Sequence, residues 1–437
     1  MTDLFVQPDT PAAFDPAALV QPDRVHGSVY TAAHIFAAEM DRIFAQDWVY
    51  LAHTSEVPQP GCFKATTLGT QPVLLVRGDD GVVRAFYNRC RHRGVTVCQE
   101  RAGQSRFLRC DYHGWTYGRD GRLVGVPYPE AYEATGFRQD QLGLTPLARL
   151  AEYRGFLFAS AASDGPTLAE HLGAATAYID RFVDPSPTGE VELSAGVQRY
   201  FYRGNWKFQM ENSVDGYHPN VTHAAYFDLL EARTGARVQT YDGRSPALTR
   251  DLGGGHVMLD QRPTSGSVNA AMQRGIGATD AGRAWHEALT ERYGQDKADD
   301  IVRLGGGAGV FLAVYPNLVL INLQVRVIVP VAPDRTQVEI YPALLQNVPK
   351  AINTARLRVH EHFYGPGGFG APDDLEIFER NQAGLAAQAD PWLLLTRGQA
   401  RQRLDEAGHL IGQATDEVSQ RGFWRRWRQS MVAGAPA

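Results

Sequence analysis

Two short stretches of the chain combine cysteine with histidine at close spacing. Cys90 and His92 form a Cys-x-His pair, and Cys110 and His113 form a Cys-x-x-His pair after a gap of 17 residues. Two thiolates and two imidazoles suit a [2Fe–2S] centre in which histidines replace two cysteines on one iron and raise its reduction potential. The alternative is a zinc site, although zinc usually binds Cys-x2–4-Cys and His-x3–5-His pairs. The spacing therefore favours an iron–sulfur centre.

A second group of metal-binding residue types follows in the next part of the chain. Asp215 and His218 are three residues apart, which predicts that they share a helix face. Pro219 disfavours helix at His218, so a break or wide turn there can bring His218 and His223 together. Two histidines and one carboxylate on one side of Fe(II) leave coordination positions open for O2.

The carboxylate of this second site has to come from a distant segment. Asp373 and Asp374 open a helix-like run, DDLEIFERNQAGL. The alternative for both residues is capping of a helix N-terminus and pairing with its dipole. The residues alone leave the choice between metal ligand and cap open.

The elements that would position these residues change in character along the chain. A helix is expected over Ala32–Trp48, and a terminal helix over Phe423–Met431 is expected to pack rather than to lie on a membrane. Two hairpins are expected, each turning at an Asp-Gly pair, so that Cys90 and His92 follow the first hairpin and Cys110 and His113 precede the second. The predicted strands are Val73–Val76, Val82–Tyr87, Trp115–Tyr117, Leu123–Val126, Val197–Tyr202, Val310–Val314, Leu318–Arg326 and Gln337–Leu345.

Composition excludes several classes of protein. The 437 residues are 44% apolar and 21% charged, which is ordinary for a globular protein of two or three domains. A net charge of −5 argues against nucleic acid as a partner. No apolar run reaches the roughly 18 residues that span a bilayer, and the N-terminus lacks the features of a secretory signal. Four cysteines do not make a disulfide framework, so a cytoplasmic location is expected.

Both motifs resemble one known family. CRHRG and CDYHGWTYGRDGRL resemble the Rieske signature of ring-hydroxylating oxygenase large subunits, and NWK-x4-N-x2-D-x-Y-H-x4-H with a later DDLE run resembles their catalytic domain. The resemblance covers about residues 25 to 430. It implies an α+β fold with a small antiparallel Rieske domain and a larger catalytic domain whose antiparallel sheet is flanked by helices. The expected divisions are an N-terminal helical segment packing on the catalytic domain (1–48), a Rieske domain (49–162) and a catalytic domain (163–437).

Matched position by position, the resemblance implies two metal centres. Cys90 and Cys110 would bind one iron of the cluster, and His92 and His113 the other. A mononuclear Fe(II) would be bound by His218, His223 and Asp374. Asp215 would link His218 to His113 of a neighbouring subunit, and Asn212 would lie just outside the iron ligands, with a satisfied helix-end amide as its alternative.

The family also implies an activity. Electrons from NADH would pass through a reductase, with or without a ferredoxin, to the Rieske cluster and then to the iron that activates O2. The run PDDLEIFERNQAG resembles the benzoate and anthranilate branch, so an aromatic acid is the expected substrate. Arg203 and Arg326 are candidates to bind its carboxylate, each with an ordinary salt bridge as the alternative. A monooxygenase or demethylase stays open, and an electron-transfer protein without catalysis is a remote alternative.

Assembly follows from the expected link between subunits. If Asp215 reaches a neighbour's His113, the chain works only as a closed head-to-tail trimer. Whether a small β subunit makes this trimer α3β3 rather than α3 is not readable from the sequence. Residues 230–310 match the family least and are expected to hold the walls of the substrate pocket.

Overall fold

The computed structural model describes residues 14–235, 241–264, 278–304, 309–365, 367–387 and 389–433. Over these residues the chain combines helices with antiparallel sheets, which confirms the predicted α+β class. The first 160 residues are mainly short strands, and the remainder surrounds one large sheet. The domain boundaries at 48/49 and 162/163 stay predictions.

Three small antiparallel sheets form this first part, and the first two carry the cysteine and histidine loops. One orders its strands as Val83–Tyr87, Gln71–Arg77, Cys62–Leu68 and Ala102–Gln104. A second contains Leu123–Gly125, Thr116–Tyr117 and Leu108–Arg109, and a third contains Arg149–Tyr153, Phe156–Ser160 and Val49–His53. Both predicted hairpins are therefore confirmed, since Gln71–Arg77 pairs with Val83–Tyr87 and Thr116–Tyr117 pairs with Leu123–Gly125.

A nine-stranded antiparallel sheet forms the centre of the second part. Its strand order is Gln198–Tyr202, Arg335–Pro342, Gln324–Ala332, Leu318–Ile321, Val310–Val314, Val257–Asp260, Leu248–Asp251, Leu410–Gln413 and Arg403–Leu404. Two smaller sheets contain Val20–Gln21, Arg24–His26 and Trp392–Leu394, and Val191–Glu192 with Leu344–Leu345. Nearly every residue of the central strands is buried, because the sheet is covered on both faces.

Helices flank this sheet and supply the second group of metal-binding residue types. The α-helices of the described residues are Pro16–Leu19, Ser28–Thr31, Ala33–Glu39, Leu168–Leu172, Thr176–Val183, Trp206–Asn212, Pro219–Thr222, Ala224–Thr234, Asp280–Tyr293, Gln295–Arg303, Lys350–Tyr364, Ala371–Gly384 and Val418–Ala433. Met40–Phe44 is a π-helical turn, and short 3-10 turns occur at Thr54–Glu56, Pro129–Tyr132, Gln139–Gln141, Gly173–Ala175 and Gln399–Arg401.

Three predicted elements differ from the structure. The expected strand Gln337–Leu345 is the strand Arg335–Pro342 followed by the short strand Leu344–Leu345, which belongs to another sheet. The expected strand Leu318–Arg326 is two strands, because Asn322 has a positive φ of 47° and turns the chain between them. Asparagine tolerates this left-handed conformation better than most residues. The expected helix Ala32–Trp48 is α-helical only over Ala33–Glu39. It continues as the π-helical turn Met40–Phe44, which ends four residues before Trp48.

One buried ion pair joins the N-terminal helix to the catalytic region. Glu39 accepts hydrogen bonds from Lys207 Nζ at 2.6 Å, Trp206 Nε1 at 2.8 Å and Trp427 Nε1 at 2.7 Å. The side chains of Glu39 and Lys207 are completely inaccessible to solvent. The charge is therefore compensated by one cation and two indole donors, as a buried carboxylate requires.

The predicted terminal helix is confirmed as a packing helix. Phe423, Trp424, Trp427 and Met431 are all buried against the hydrophobic core. None of the described helices combines the length and the apolar composition needed to cross a bilayer. The cytoplasmic location stays a prediction.

Candidate metal centres and substrate pocket

The two cysteine loops have the same backbone hydrogen bonds. Cys90 N–H donates to Val95 O, and Gly94 N–H donates back to Cys90 O. Cys110 and Gly114 repeat the pattern, with Trp115 in place of Val95. Each loop turns at its glycine, with φ of 78° at Gly94 and 71° at Gly114, values that favour glycine.

The loops bury their thiols and leave their imidazoles near the surface. Cys90 and Cys110 are each 2% exposed, whereas His92 is half-buried and His113 is exposed. The two imidazole rings lie 4.6 Å apart, and Trp115 stacks on His92 at 4.8 Å. A centre between these loops would therefore have a shielded sulfur side and a histidine side that another protein can reach.

The donor atoms fit a two-iron cluster better than one zinc ion. The Nδ1 atom of His92 is buried without a hydrogen-bond partner, so a donor is left free inside the site. Four ligands of one tetrahedral zinc would lie within about 4 Å of each other. Of the described residues, only His218, His223 and Asp374 bring three donor atoms within 4.8 Å, and the Cys–His loops do not. Their wider spacing agrees with two metal ions that share four ligands.

Tyr117 and backbone amides surround the thiols. The Tyr117 hydroxyl lies 3.2 Å from Cys90 Sγ and accepts a hydrogen bond from Arg91 N–H at 3.0 Å. Burial raises the pKa of Cys110, and the neighbouring Cys90 adds to this, whereas the amide N–H groups of Tyr112 and His113 lower it. Amide donors directed at a sulfur stabilise its thiolate form, which is the form that binds iron.

The second centre brings two histidines and one carboxylate together. His223 Nε2 lies 3.3 Å and His218 Nε2 lies 3.5 Å from Asp374 Oδ1. The imidazole rings are 5.3 Å apart at an angle of 77°. This set has the composition and compactness of a facial triad for non-haem Fe(II).

A break between helices positions the two histidines. The helix Trp206–Asn212 ends before Asp215, and the single turn Pro219–Thr222 has His218 at its start and His223 at its end. The predicted break at Pro219 is confirmed, since proline begins the new turn. The prediction that Asp215 and His218 share a helix face is wrong, because a bend connects them. Asp215 stabilises that bend by accepting the amide N–H of Tyr217 at 2.7 Å.

Each histidine of the triad has a second carboxylate behind it. His218 Nδ1 lies 3.1 Å from Asp215 Oδ2, and His223 Nδ1 lies 3.5 Å from Asp373 Oδ2. A carboxylate at Nδ1 fixes the tautomer that leaves Nε2 free for a metal. Neither Asp373 nor Asp374 caps its helix, whose N-cap is Gly370. The position of Asp373 behind His223 was not foreseen, and no sequence signal separated it from a cap.

Electrostatics within the triad favour ionised carboxylate beside imidazole. Burial would raise the pKa of Asp374, but the hydrogen bond from His223 and the charges of His218 and Arg326 lower it overall. Burial would lower the pKa of His223, but the carboxylates of Asp374 and Asp373 raise it overall. The site therefore stabilises negative charge on Asp374 in a buried position, as a cation ligand requires.

Asn212 lies against the donor atoms of the triad. Its Nδ2 atom is 3.3 Å from His218 Nε2 and donates to Asp374 Oδ1 at 3.1 Å. The amide is therefore directed into the site and is not a satisfied helix-end group. Its role, like those of the other predicted site residues, stays a prediction.

A pocket of about 960 Å³, including its open mouth, begins at the triad. Six of its nineteen lining residues are phenylalanine or tyrosine: Tyr226, Phe227, Tyr241, Phe311, Phe363 and Tyr364. Four lining residues, Tyr241, Ser245, Gln261 and Thr264, come from the poorly matched stretch 230–310. Residues 236–240, 265–277 and 305–308 of that stretch lie outside the described residues. The pocket suits a planar apolar ring near the metal site.

Arg326 is the cation of this pocket. It is 3% exposed, and its nearest polar contact is Ser213 Oγ, 3.5 Å from Nη1. Its Nε atom is buried without a hydrogen-bond partner, and no ion pair is formed by Arg326 within the described residues. The salt-bridge alternative therefore does not apply to Arg326.

The prediction that Arg203 contacts substrate is wrong. Its side chain is 87% exposed and pairs with Glu379, to which Nη2 donates at 2.7 Å. Arg203 is not among the residues that line the pocket. The strand Gln198–Tyr202 ends just before it and directs the chain to the surface, so the ordinary salt bridge is the correct interpretation.

Two family models match the chain. Residues 47–147 match the Rieske [2Fe-2S] domain, and residues 185–433 match the ring hydroxylating alpha subunit (catalytic domain). The second match alone covers more than half of the chain.

Similar proteins extend over most of the chain. It is 35% identical over 402 residues to the 2-halobenzoate 1,2-dioxygenase large subunit of Burkholderia cepacia, covering 87% of this chain and 82% of that protein. It is 32% identical over 394 residues to the anthranilate 1,2-dioxygenase large subunit of Acinetobacter baylyi, covering 86% and 80%. The structure of naphthalene 1,2-dioxygenase from Rhodococcus sp. bound to indole superposes with a TM-score of 0.81 at 25% identity, covering 94% of this chain and 95% of that one.

Proposed function

The chain belongs to the alpha subunits of the ring-hydroxylating oxygenases, and we propose that it hydroxylates an aromatic acid. It is the large subunit of a terminal oxygenase, with a Rieske [2Fe-2S] cluster and a mononuclear iron as cofactors. The proposal concerns the substrate, the residues at each centre and the assembly. The observation that carries it is a buried arginine, Arg326, that forms no ion pair within the described residues and lines a pocket with six phenylalanine and tyrosine side chains beside the triad.

We assign the metal ligands from the geometry described above. The cluster would be bound by Cys90, His92, Cys110 and His113, and the mononuclear iron by His218, His223 and Asp374. When bound, these groups supply the one-electron transfers and the O2 chemistry of the reaction. The protein itself orients the imidazoles through Asp215 and Asp373, and excludes water with the aromatic walls of the pocket.

Arg326 would hold the carboxylate of the substrate. An arginine buried without a counter-ion is unfavourable, and a bidentate carboxylate would satisfy the two edges of its guanidinium. The aromatic walls would contact the faces of the ring, so the acid group at one end would fix which ring carbons face the metal. The names of the relatives support this assignment, because halobenzoate and anthranilate are aromatic carboxylates.

The overall reaction would be cis-dihydroxylation. Both atoms of O2 would form C–O bonds to adjacent ring carbons, NADH would be oxidised to NAD+, and its two electrons with two protons would complete the diol. Electrons would arrive through a reductase, with or without a ferredoxin. In the presence of 18O2, the aromatic product should gain two labelled oxygens. One labelled oxygen in that product would identify a monooxygenase, whereas a demethylase would release its labelled oxygen in formaldehyde and leave none in the aromatic product.

The substrate proposal is tested by a pair of isosteric compounds. Wild-type enzyme with reductase and NADH should consume O2 with benzoate or a substituted benzoate, but poorly with the uncharged benzamide. Arg326→Gln should raise KM for benzoate by at least about 30-fold, the effect of losing a buried charge-assisted pair, while leaving benzamide oxidation nearly unchanged. Turnover of uncharged hydrocarbons alone would overturn the proposal. Arg203→Gln is the matched control and should leave both substrates unaffected.

We further propose that the working unit is a head-to-tail trimer with a small β subunit. Asp215 contacts His218 yet remains partly exposed, and His113 is exposed on the Rieske side, so a neighbouring copy can bring the two together. The words "large subunit" in the names of the relatives support a smaller partner chain. Native mass spectrometry should give α3β3, and a fully active monomer would contradict the proposal.

A further inference from the structure

Three arginines surround the first cysteine loop. Arg89, Arg91 and Arg93 are exposed, and together they line a surface groove that reaches Cys90 and His92. Arg91 Nη1 donates to Thr145 Oγ1 at 2.7 Å, which holds its guanidinium at the rim of the groove. We call these three residues the arginine groove.

Among the described residues, the arginine groove lacks the counter-ions that several other arginines of this region have. No ion pair is formed by Arg89, Arg91 or Arg93 within the described residues. Five other arginines of this region do form them: Arg84 with Asp80, Arg101 with Glu339, Arg119 with Asp79, Arg122 with Asp120, and Arg138 with Asp140. Three arginines without an ion pair among the described residues therefore lie together at the first cysteine loop, in a chain whose net charge is −5.

The acidic residues of the same stretch lie elsewhere. The acidic residues between Cys90 and His113 are Glu100 and Asp111. Neither residue lines the arginine groove. Consequently their charge does not neutralise the groove directly.

The second cysteine loop has a different surface. Tyr112 is 62% exposed, and Tyr128, which follows the next hairpin, is 77% exposed. Exposed aromatic side chains are typical of lasting interfaces, whereas unpaired charges are typical of transient, electrostatically steered encounters. The surface with Tyr112 and Tyr128 is therefore suited to a stable interface with another subunit. The arginine groove is suited to a transient complex with another protein.

We propose that the arginine groove is the docking site for the acidic face of the iron–sulfur protein that donates electrons to this oxygenase. The inference rests on the proposed function, because only an oxygenase supplied by a carrier needs such a site. In each encounter the donor would lose one electron and the cluster would gain one, and no covalent bond would form or break. Positive charge beside the acceptor raises the rate of productive encounter with an acidic carrier.

Stopped-flow reduction of the oxidised holoenzyme tests the proposal. The probe is a reduced plant-type [2Fe–2S] ferredoxin, an acidic one-electron carrier, and the signal is the bleaching of the Rieske absorbance. At about 20 mM salt, Arg93→Glu should lower the bimolecular rate constant about tenfold, and Arg93→Gln should lower it less. At about 0.5 M salt the three proteins should converge, because screening removes the steering.

Two controls separate docking from damage to the cluster. Arg106 is an exposed arginine without an ion pair among the described residues, and it does not line the groove, so Arg106→Glu should leave the rate nearly unchanged. The methyl viologen radical, a cationic reductant, should reduce Arg93→Glu at least as fast as wild type. The electron paramagnetic resonance signal of the reduced cluster should be the same in all variants.

Equal slowing by Arg106→Glu and Arg93→Glu, or no slowing by Arg93→Glu, would overturn the docking site. A change in subunit number with Arg93→Glu, at an unchanged rate of reduction, would instead make the groove a contact between copies of the chain. An error in the proposed substrate would give a different result. The rate of cluster reduction would still depend on the charge at position 93 and on salt, but no aromatic acid would be oxidised.

Discussion

Asp373 and Asp374 show how much depends on a single position in the chain. Both side chains stand at the first turn of one helix, yet Asp374 faces the Nε2 atoms of both histidines and Asp373 lies behind one of them. Adjacent helical residues point about 100° apart, so only one of the two carboxylates can enter the site.

This difference predicts opposite outcomes for two isosteric substitutions. Asp374→Asn should abolish binding of the mononuclear iron, because a buried neutral amide cannot replace an anionic ligand. Asp373→Asn should retain the iron with affinity weakened about 10-fold or more, as expected for loss of a carboxylate that orients a ligand histidine. Iron and sulfide analysis of anaerobically prepared protein measures both. Equal loss of iron in the two variants would contradict the assignment of Asp374 as the ligand.

At the scale of elements, the buried pair of Glu39 and Lys207 attaches the N-terminal helix to the catalytic region. Lys207→Met alone should destabilise the chain by about 3–5 kcal/mol, because it leaves a buried carboxylate without its cation. Glu39→Gln combined with Lys207→Met should cost clearly less, since the glutamine amide would keep an acceptor for the indoles without a charge. Chemical unfolding monitored by tryptophan fluorescence measures the coupling. Simple additivity of the single variants would refute this interpretation.

Glu211 connects two further helices in a way that depends on pH. It accepts hydrogen bonds from Tyr30 at 2.6 Å and from Trp424 at 3.1 Å. Burial raises the pKa of Glu211 from 4.5 to about 7, although both hydrogen bonds and Lys207 oppose the shift. The folded chain thus holds the proton more tightly than the unfolded chain, and this contribution to stability is lost as pH rises from about 4.5 to about 7.

Glu211→Gln should remove this dependence. When the pH is raised from 5 to 7.5, the unfolding free energy of the variant should increase by about 1–2 kcal/mol relative to that of the wild type. The magnitude is below the full linkage value because Glu211 keeps partial access to solvent, which screens its charge. Unfolding curves at several pH values measure the shift, and a difference between variant and wild type that stays constant with pH would exclude Glu211 as its source.

Sequence reasoning was most successful where local chemistry decides the structure. Turn residues located both hairpins, and the pattern of apolar residues located the terminal helix. It was wrong where a single backbone conformation or a tertiary contact determines the local structure. Examples are the turn at Asn322 and the bend after Asp215. The pairing of Arg203 with Glu379, 176 residues away, also had no local signal.

At the scale of the whole molecule, the two centres lie on different parts of the chain, and each has an accessible side. His113 is exposed on the Rieske side, and Asp215 and the exposed Tyr217 flank the mononuclear site. Tyr217 is held by Arg397, whose guanidinium carbon lies 3.6 Å from the centre of its ring. Transfer between copies requires these surfaces to meet, whereas transfer within one copy does not.

Mixed oligomers distinguish the two routes. A chain with Cys110→Ser would lack the cluster but keep the mononuclear iron, and a chain with His223→Ala would keep only the cluster. Each should be inactive alone. Co-expressed in equal amounts, they should recover about a quarter of wild-type activity, because half of the chains keep the mononuclear iron and half of their neighbours in a closed ring supply a cluster. Zero recovery, with mixed oligomers verified by mass spectrometry, would show that electrons stay within one chain and would remove the bridging role of Asp215.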